Sequence, residues 1–223
     1  MILGVEHIAL SCADIETGVA GLAARGFAPA FVERDIPNAP EKRSLLHTYT
    51  ARHDIASCRA QAGIAIELTN HGPVYAPAPP SYEVTFGGGG IVAVAVISGD
   101  VRASKRFWRD GLRFTVAAGN ADDAEQALLA IRPPVAAWAF ELRVAPGPQR
   151  ALPMLDDEGF PCVALITNRL DADLAQALSA GGHSPAGPFV AHVNGNELHV
   201  ALLRGPGGEL VELIAFARKG GAA

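Results

Sequence analysis

The feature that most constrains this chain is an internal repeat. One layout recurs in GVEHIALSCADIETGVAGLAARGF, from Gly4, in GIVAVAVISGDVRASKRFWRDGLRF, from Gly90, and in GFPCVALITNRLDADLAQALSAGGH, from Gly159. Each copy opens on a glycine and a short apolar run, at 5–11, 91–98 and 160–167, which reads as a buried strand. A helix start follows. Asp14 and Asp100 stand at matching positions and Asn168 lies close to it, all short polar side chains that cap the free N–H groups of a first turn. Apolar residues then recur at helical spacing: Ile15, Val19 and Leu22 in the first copy, Leu170, Leu174 and Leu178 in the third, and a less regular Val101, Phe107 and Trp108 in the second. Each helix closes at a glycine that accepts the left-handed conformation, Gly26, Gly111 or Gly181. Further strands complete each copy, so the chain reads as α+β, built from three β-α-β-β-β units of about sixty residues.

The connectors set the boundaries. Units at 1–72, 90–146 and 159–217 are separated by linkers at 73–89 and 147–158, both rich in proline and glycine, and followed by a tail at 218–223. Within the first unit, Pro37 and Pro40 rule out regular structure in a polar insertion at 35–44. The four glycines at 87–90 lead into a strand and not into a helix N-terminus, so a hinge is expected there and not a phosphate loop.

The last strand of each unit holds a glutamate among apolar residues: Glu67 in IAIELT, Glu141 in AWAFELR and Glu212 in LVELIA. An unpaired buried carboxylate costs several kcal/mol or shifts its pKa until it is neutral. Each therefore needs a partner, whether a metal, an arginine, a water-filled cavity or a substrate amine.

Composition narrows the setting. Hydrophobic residues make up 49% of the 223 and charged ones 18%, which gives a globular chain, and the net charge of -5 argues against a nucleic-acid partner. No run approaches the roughly 18 apolar residues of a membrane span. The opening MILGVEHIAL lacks the basic region and cleavage site of a signal peptide. Cys12, Cys58 and Cys162 are too scattered for a disulfide scaffold. A cytoplasmic protein with no membrane partner is expected.

A βαβββ unit that opens with VEHIAL and closes with IAIELT resembles the vicinal oxygen chelate superfamily, which includes glyoxalase I, methylmalonyl-CoA epimerase, the bleomycin- and fosfomycin-resistance proteins and the extradiol dioxygenases. The resemblance spans nearly the whole chain as three units. It implies curled mixed β-sheets around a pocket with helices outside, and units that pair to enclose one cavity. It also implies a divalent metal held by a histidine on the first strand of a unit and a glutamate on the last. In the first unit His7 and Glu67 take those positions. In the second Glu141 matches, but Ala93 stands at the histidine position; in the third Glu212 matches, but Cys162 stands there. Two functions are in keeping with this. One is a metal-dependent lyase, isomerase or dioxygenase acting on a small oxygen-chelating substrate. The other is a metal-free protein of the bleomycin-resistance type that sequesters a small molecule.

Alternation along the first strand places His7 on one face with Val5 and Ala9. Imidazole and carboxylate together suit Zn, Fe, Ni or Mn; the plainer reading is a buried histidine bonded to backbone or to Glu67. Glu212 and Glu141 are candidates for a catalytic general base beside a metal-polarised carbonyl, or for carboxylates satisfied by hydrogen bonds in the cavity. Cys162 is a soft ligand or a small buried hydrophobe. His47 and His199 fall in expected middle strands and can supply a missing ligand or line the pocket, while Tyr49, Phe140 and Trp138 are wall or core. His53, His71, His183 and His192 lie near turns and are expected in solvent. Three units leave the pairing open. Units two and three can pair, leaving the first to form a homodimer whose two His7 and two Glu67 make a four-ligand set. Alternatively, unit one pairs within the chain, and His7 and Glu67 meet Glu212 or Glu141.

Overall fold

The computed structural model describes residues 1–61, 63–75, 82–87, 90–116, 127–131, 140–147 and 152–217. The first unit runs β1 (Ile2–Ser11), α1 (Ile15–Ala23), β2 (Ala28–Pro37), a 3-10 turn (Pro40–Leu45), β3 (Arg52–Arg59) and β4 (Ala65–Asn70). After β5 (Tyr82–Gly87), the second has β6 (Gly90–Ser98), α2 (Val101–Arg106) continued by a π-helical turn (Phe107–Gly111), β7 (Thr115–Val116), β8 (Ala127–Ile131) and β9 (Phe140–Pro146). The third has β10 (Gly159–Thr167), α3 (Leu170–Ser179), β11 (His183–Val193), β12 (Asn196–Arg204) and β13 (Leu210–Phe216). Each is a β-α-β-β-β unit in an α+β fold.

The first and third units join in one eight-stranded sheet, ordered β11-β12-β13-β10-β1-β4-β3-β2, which curls into a half-barrel. Its centre is the antiparallel pair β1 and β10, where Ile8 lies opposite Val163, His7 opposite Ala164 and Ala9 opposite Cys162. This register is a local twofold about Ile8 and Val163 that exchanges position 7 with 162 and position 9 with 164. The outer strands obey it, because Glu67 pairs with Ala9 and Glu212 with Ala164. Of the pairings open from the sequence, the chain has unit one with unit three. The second unit forms its own sheet, ordered β5-β6-β9-β8-β7.

Some local expectations need correction. The segment expected as a linker at 73–89 contains β5, whose Gly87 pairs with Gly90 of β6, while Gly88 and Gly89 of the expected hinge lie outside the described residues. Asp14 and Asp100 cap as expected, accepting from Thr17 N at 2.7 Å and Ala103 N at 2.9 Å. Asn168 instead takes the chain's N-terminal ammonium at 2.8 Å, and Arg169 heads α3 with no side-chain cap. Leu178 of the expected apolar stripe is exposed, and Ala177 takes the buried place. Gly26 and Gly181 are left-handed, with φ of 85° and 102°. Gly111 is there for a different reason: a Cβ on it would meet Ala180 Cβ at 2.9 Å and Ala177 Cα at 3.2 Å.

One core, holding Ile8, Ile66, Leu68, Val163 and Leu213, runs on to Trp108, Val94 and Leu142 of the second unit. On the other face of the sheet a smaller cluster, including Leu45, Cys162, Phe189 and Leu202, packs inside the curl. The segment at 152–158, expected as linker, docks there. Leu155 N donates to Leu45 O at 2.8 Å, and Asp156 accepts from His47 N and Thr48 N at 2.9 and 3.0 Å. This fixes the 3-10 turn over the mouth of the half-barrel.

Candidate functional site

The inside of the curl is a cavity of about 450 Å³. Strand alternation decides what faces it. From the first unit come His53, Ile55, Ser57 and Arg59 of β3, Glu67 of β4 and His7 of β1; from the third come Phe189, Leu198, Val200, Glu212, Ile214 and Phe216. The first unit's wall is the more polar, although Phe31, Ile36 and Pro37 also lie on it, and the third unit's is mostly apolar.

At the floor the two units meet. His7 Nε2 lies 3.5 Å from a Glu67 oxygen and 3.6 Å from a Glu212 oxygen, while its Nδ1 is 2.5 Å from Glu6 Oε2. Neighbouring residues of a strand ordinarily point to opposite faces, and the expectation put Val5 beside His7. A bulge between Val5 and His7 changes that: Val5 pairs with Leu165 and His7 with Ala164, leaving Glu6 as the extra residue. Glu6 therefore reaches His7, and Val5 packs with the main core. Arg59 closes the chain of charges, Nη2 donating to Glu6 Oε1 at 2.9 Å.

These contacts set the protonation. Burial alone would lower the pKa of His7, which is 4% exposed, but Glu67, Glu6 and Glu212 outweigh it and raise it to about 9. His7 is an imidazolium at neutral pH. Burial would raise the Glu6 carboxyl, yet the hydrogen bond and charge of His7, with Arg59, hold it below its usual range. Burial and the Glu212 charge push Glu67 up, and His7 offsets part of this.

As a metal cage the donor set falls short. One imidazole nitrogen faces two carboxylates, and the position related to His7 by the local twofold is Cys162. Burial and the Glu212 charge hold that thiol protonated, and its Sγ lies 3.8 Å from the Val163 carbonyl. Among the described residues, no group of three or more His, Cys, Asp and Glu side chains is placed to hold a metal ion.

The other candidates fall in various places. Glu141 pairs through its backbone with Ala93 in the second sheet, whereas Glu67 lies opposite Ala9, two residues past His7. By register, then, Ala93 is not the counterpart of His7. The side chains of Glu141 and Phe140, and all of Trp138, lie outside the described residues. His47 is in a loop and not in a strand, its Nε2 2.9 Å from Asp157 Oδ1 and its side chain 43% exposed. His199 is on β12, but on the face opposite Leu198 and Val200, 3.5 Å from Glu197. Tyr49 donates to Asn38 O at 2.9 Å and packs beneath the cavity. His183 and His192 are exposed as expected. His53 and His71 are not, at 6% and 3% exposure. Their positions beside turns hid that they continue the inward rows of β3 and β4. Lys42, on the 3-10 turn, was also missed; its Nζ lies 5.7 Å from the Phe189 ring centroid, and it lines the cavity.

No helix among the described residues is long and apolar enough to cross a membrane. No protein-family model matches the chain, and no curated protein matches it. Solved structures do. Glyoxalase I from Zea mays is 16% identical, with a TM-score of 0.41 over 96% of this chain and 69% of its own. A glyoxalase/bleomycin resistance protein from Albidiferax ferrireducens T118 is 19% identical, with a TM-score of 0.40 over 56% of this chain and 97% of its own. A glyoxalase-related enzyme from Fulvimarina pelagi is 15% identical, with a TM-score of 0.39 over 56% and 86%.

Proposed function

We propose that the chain is a glyoxalase-like protein that binds a small amphipathic molecule in the half-barrel, with the His7, Glu67 and Glu212 cluster as its polar anchor. The observation that carries this is a cavity of about 450 Å³ with a more polar and a more apolar wall, floored by His7 between carboxylates of two units. A ligand lays its apolar body on Leu198, Val200 and Ile214. Its polar end meets His7 as donor and Glu67 or Glu212 as acceptor, at a floor where His7 is buried and charged hydrogen bonds are strong. The free thiols of Cys12, Cys58 and Cys162 suit the reducing cytoplasm. A homodimer is not needed to complete the cluster, because Glu212 stands where a second Glu67 would.

A thermal-shift panel of small amphipathic molecules tests this, run on wild type and on Leu198→Trp, which narrows the cavity. Hits that raise the wild-type Tm by several degrees and leave the variant unmoved support the reading. Hits that shift both alike contradict it.

A second reading has one observation in its favour. Glu6 holds His7 Nδ1, which leaves Nε2 facing Glu67 and Glu212, as a carboxylate behind a metal-bound histidine does. A divalent ion there would have only His7, Glu67 and Glu212 to hold it, a set short of a cage as it stands, and would supply Lewis acidity toward a small oxygen-chelating substrate. Metal content of protein purified without chelator, beside His7→Ala, separates the two: a stoichiometric ion lost in the variant selects the enzyme.

A further inference from the structure

The wall contributed by the first unit holds hydrogen-bonding capacity that no described residue takes up. His53, on β3, and His71, just past β4, are neighbours across the strand pair, since Asp54 lies opposite Asn70. Their rings stack with centroids 5.0 Å apart and planes 24° from parallel. Among the described residues, neither ring nitrogen of His53 has a hydrogen-bond partner, nor has Nδ1 of His71, Oδ1 of Asn38 or Oγ of Ser11. Leaving a buried donor or acceptor unpaired is costly, and buried polar groups are seldom left so. Apart from Oε2 of Glu209, such groups among the described residues gather in the first unit, and His53 and Asn38 line the same cavity as the apolar wall.

The chemistry of the set is specific. Burial drives His53 down to about 3, with Lys42 acting in the same direction and Asp54 against it; burial, Lys42 and His53 hold His71 well below its ordinary value. Both rings are neutral, so each offers one N–H donor and one acceptor, and Asn38 adds an acceptor. A hydroxyl, donor and acceptor at once, matches them. A carboxylate brings acceptors only and an ammonium donors only. Ser57, the partner of Glu67, lies four positions along β3 from His53, roughly 13 Å of strand. His53 is thus displaced along β3 from the His7 cluster, while His71 lines a small hollow that reaches Glu67 and Glu212. Resting on the reading of the cavity as a small-molecule site, we infer that His53, His71 and Asn38 form a second subsite that recognises a neutral hydroxyl on an apolar ligand.

Three probes with one body and different heads test it: cyclohexanol, cyclohexanecarboxylate and cyclohexylammonium. Each is titrated into the whole chain carrying isotope-labelled histidine, with the ring signals of His7, His53 and His71 assigned from His→Gln variants. The expected result is that cyclohexanol shifts the His53 and His71 signals saturably and at lower concentration than the other two. His53→Leu weakens it about fivefold, and His53→Gln, which keeps a donor and an acceptor, restores most of the loss. If the carboxylate or the ammonium is the better ligand at those rings, the inference is wrong. If the probes move only the His7 signals, the subsite fails and the cavity reading stands. If no ring signal moves, both fall.

Discussion

His7 has three carboxylate neighbours, and Glu6 reaches it only because β1 bulges between Val5 and His7. A histidine whose folded pKa is about 9 and whose ordinary value is 6.5 binds its proton more tightly in the folded state. Its contribution is full below pH 6.5 and is lost as pH rises toward 9, and the size is on the order of 3 kcal/mol. Wild-type stability measured by denaturant should therefore fall across that window relative to His7→Gln. Parallel curves would show that His7 is not charged in the folded protein. Removing a neighbour acts the same way: Glu6→Gln should lower the pKa of His7, read from its ring signals. That Glu6 belongs to the site was not legible in the sequence, because strict alternation sends it to the opposite face. His7, Glu67 and Glu212 were legible, since each occupies a repeated position in an apolar strand.

At the scale of elements, the second unit is locked to the third by a buried carboxylate. Trp108 Nε1 donates to Glu209 Oε1 at 3.1 Å, and Tyr82 OH donates to Leu210 O at 2.6 Å. Burial raises the pKa of Glu209 to about 7, with Trp108 among the groups opposing it. Trp108→Phe removes the indole donor and should cost about 1–3 kcal/mol beyond the change in packing, measured by chemical denaturation. An effect below a few tenths would show that the contact is unimportant. Gly111→Ala forces a Cβ against Ala180 and Ala177 and should cost about 1–3 kcal/mol. The strands and helices themselves were largely readable, because apolar period and capping aspartates act locally. Asn168 misled because its side chain went to the N-terminal ammonium, a contact between distant parts of the chain.

For the whole molecule, the decisive fact is that units one and three share a sheet while unit two forms another. Three similar units offer several pairings by pattern alone. What selects one is the contact between β1 and β10 and the docking of the second unit on the outer core, and neither leaves a local mark in the sequence. The same pairing lines the hollow beside His71, which sequence position assigned to solvent, with Cys162 and Leu202. It also brings Glu212, 205 residues from His7, to 3.6 Å from its ring. A titration of the His7 ring signals in wild type, Glu67→Gln and Glu212→Gln tests this most directly. The account predicts a pKa near 9 in the wild type, lowered in both variants, the remote Glu212→Gln included. A value near 6.5 that ignores Glu212→Gln would contradict it.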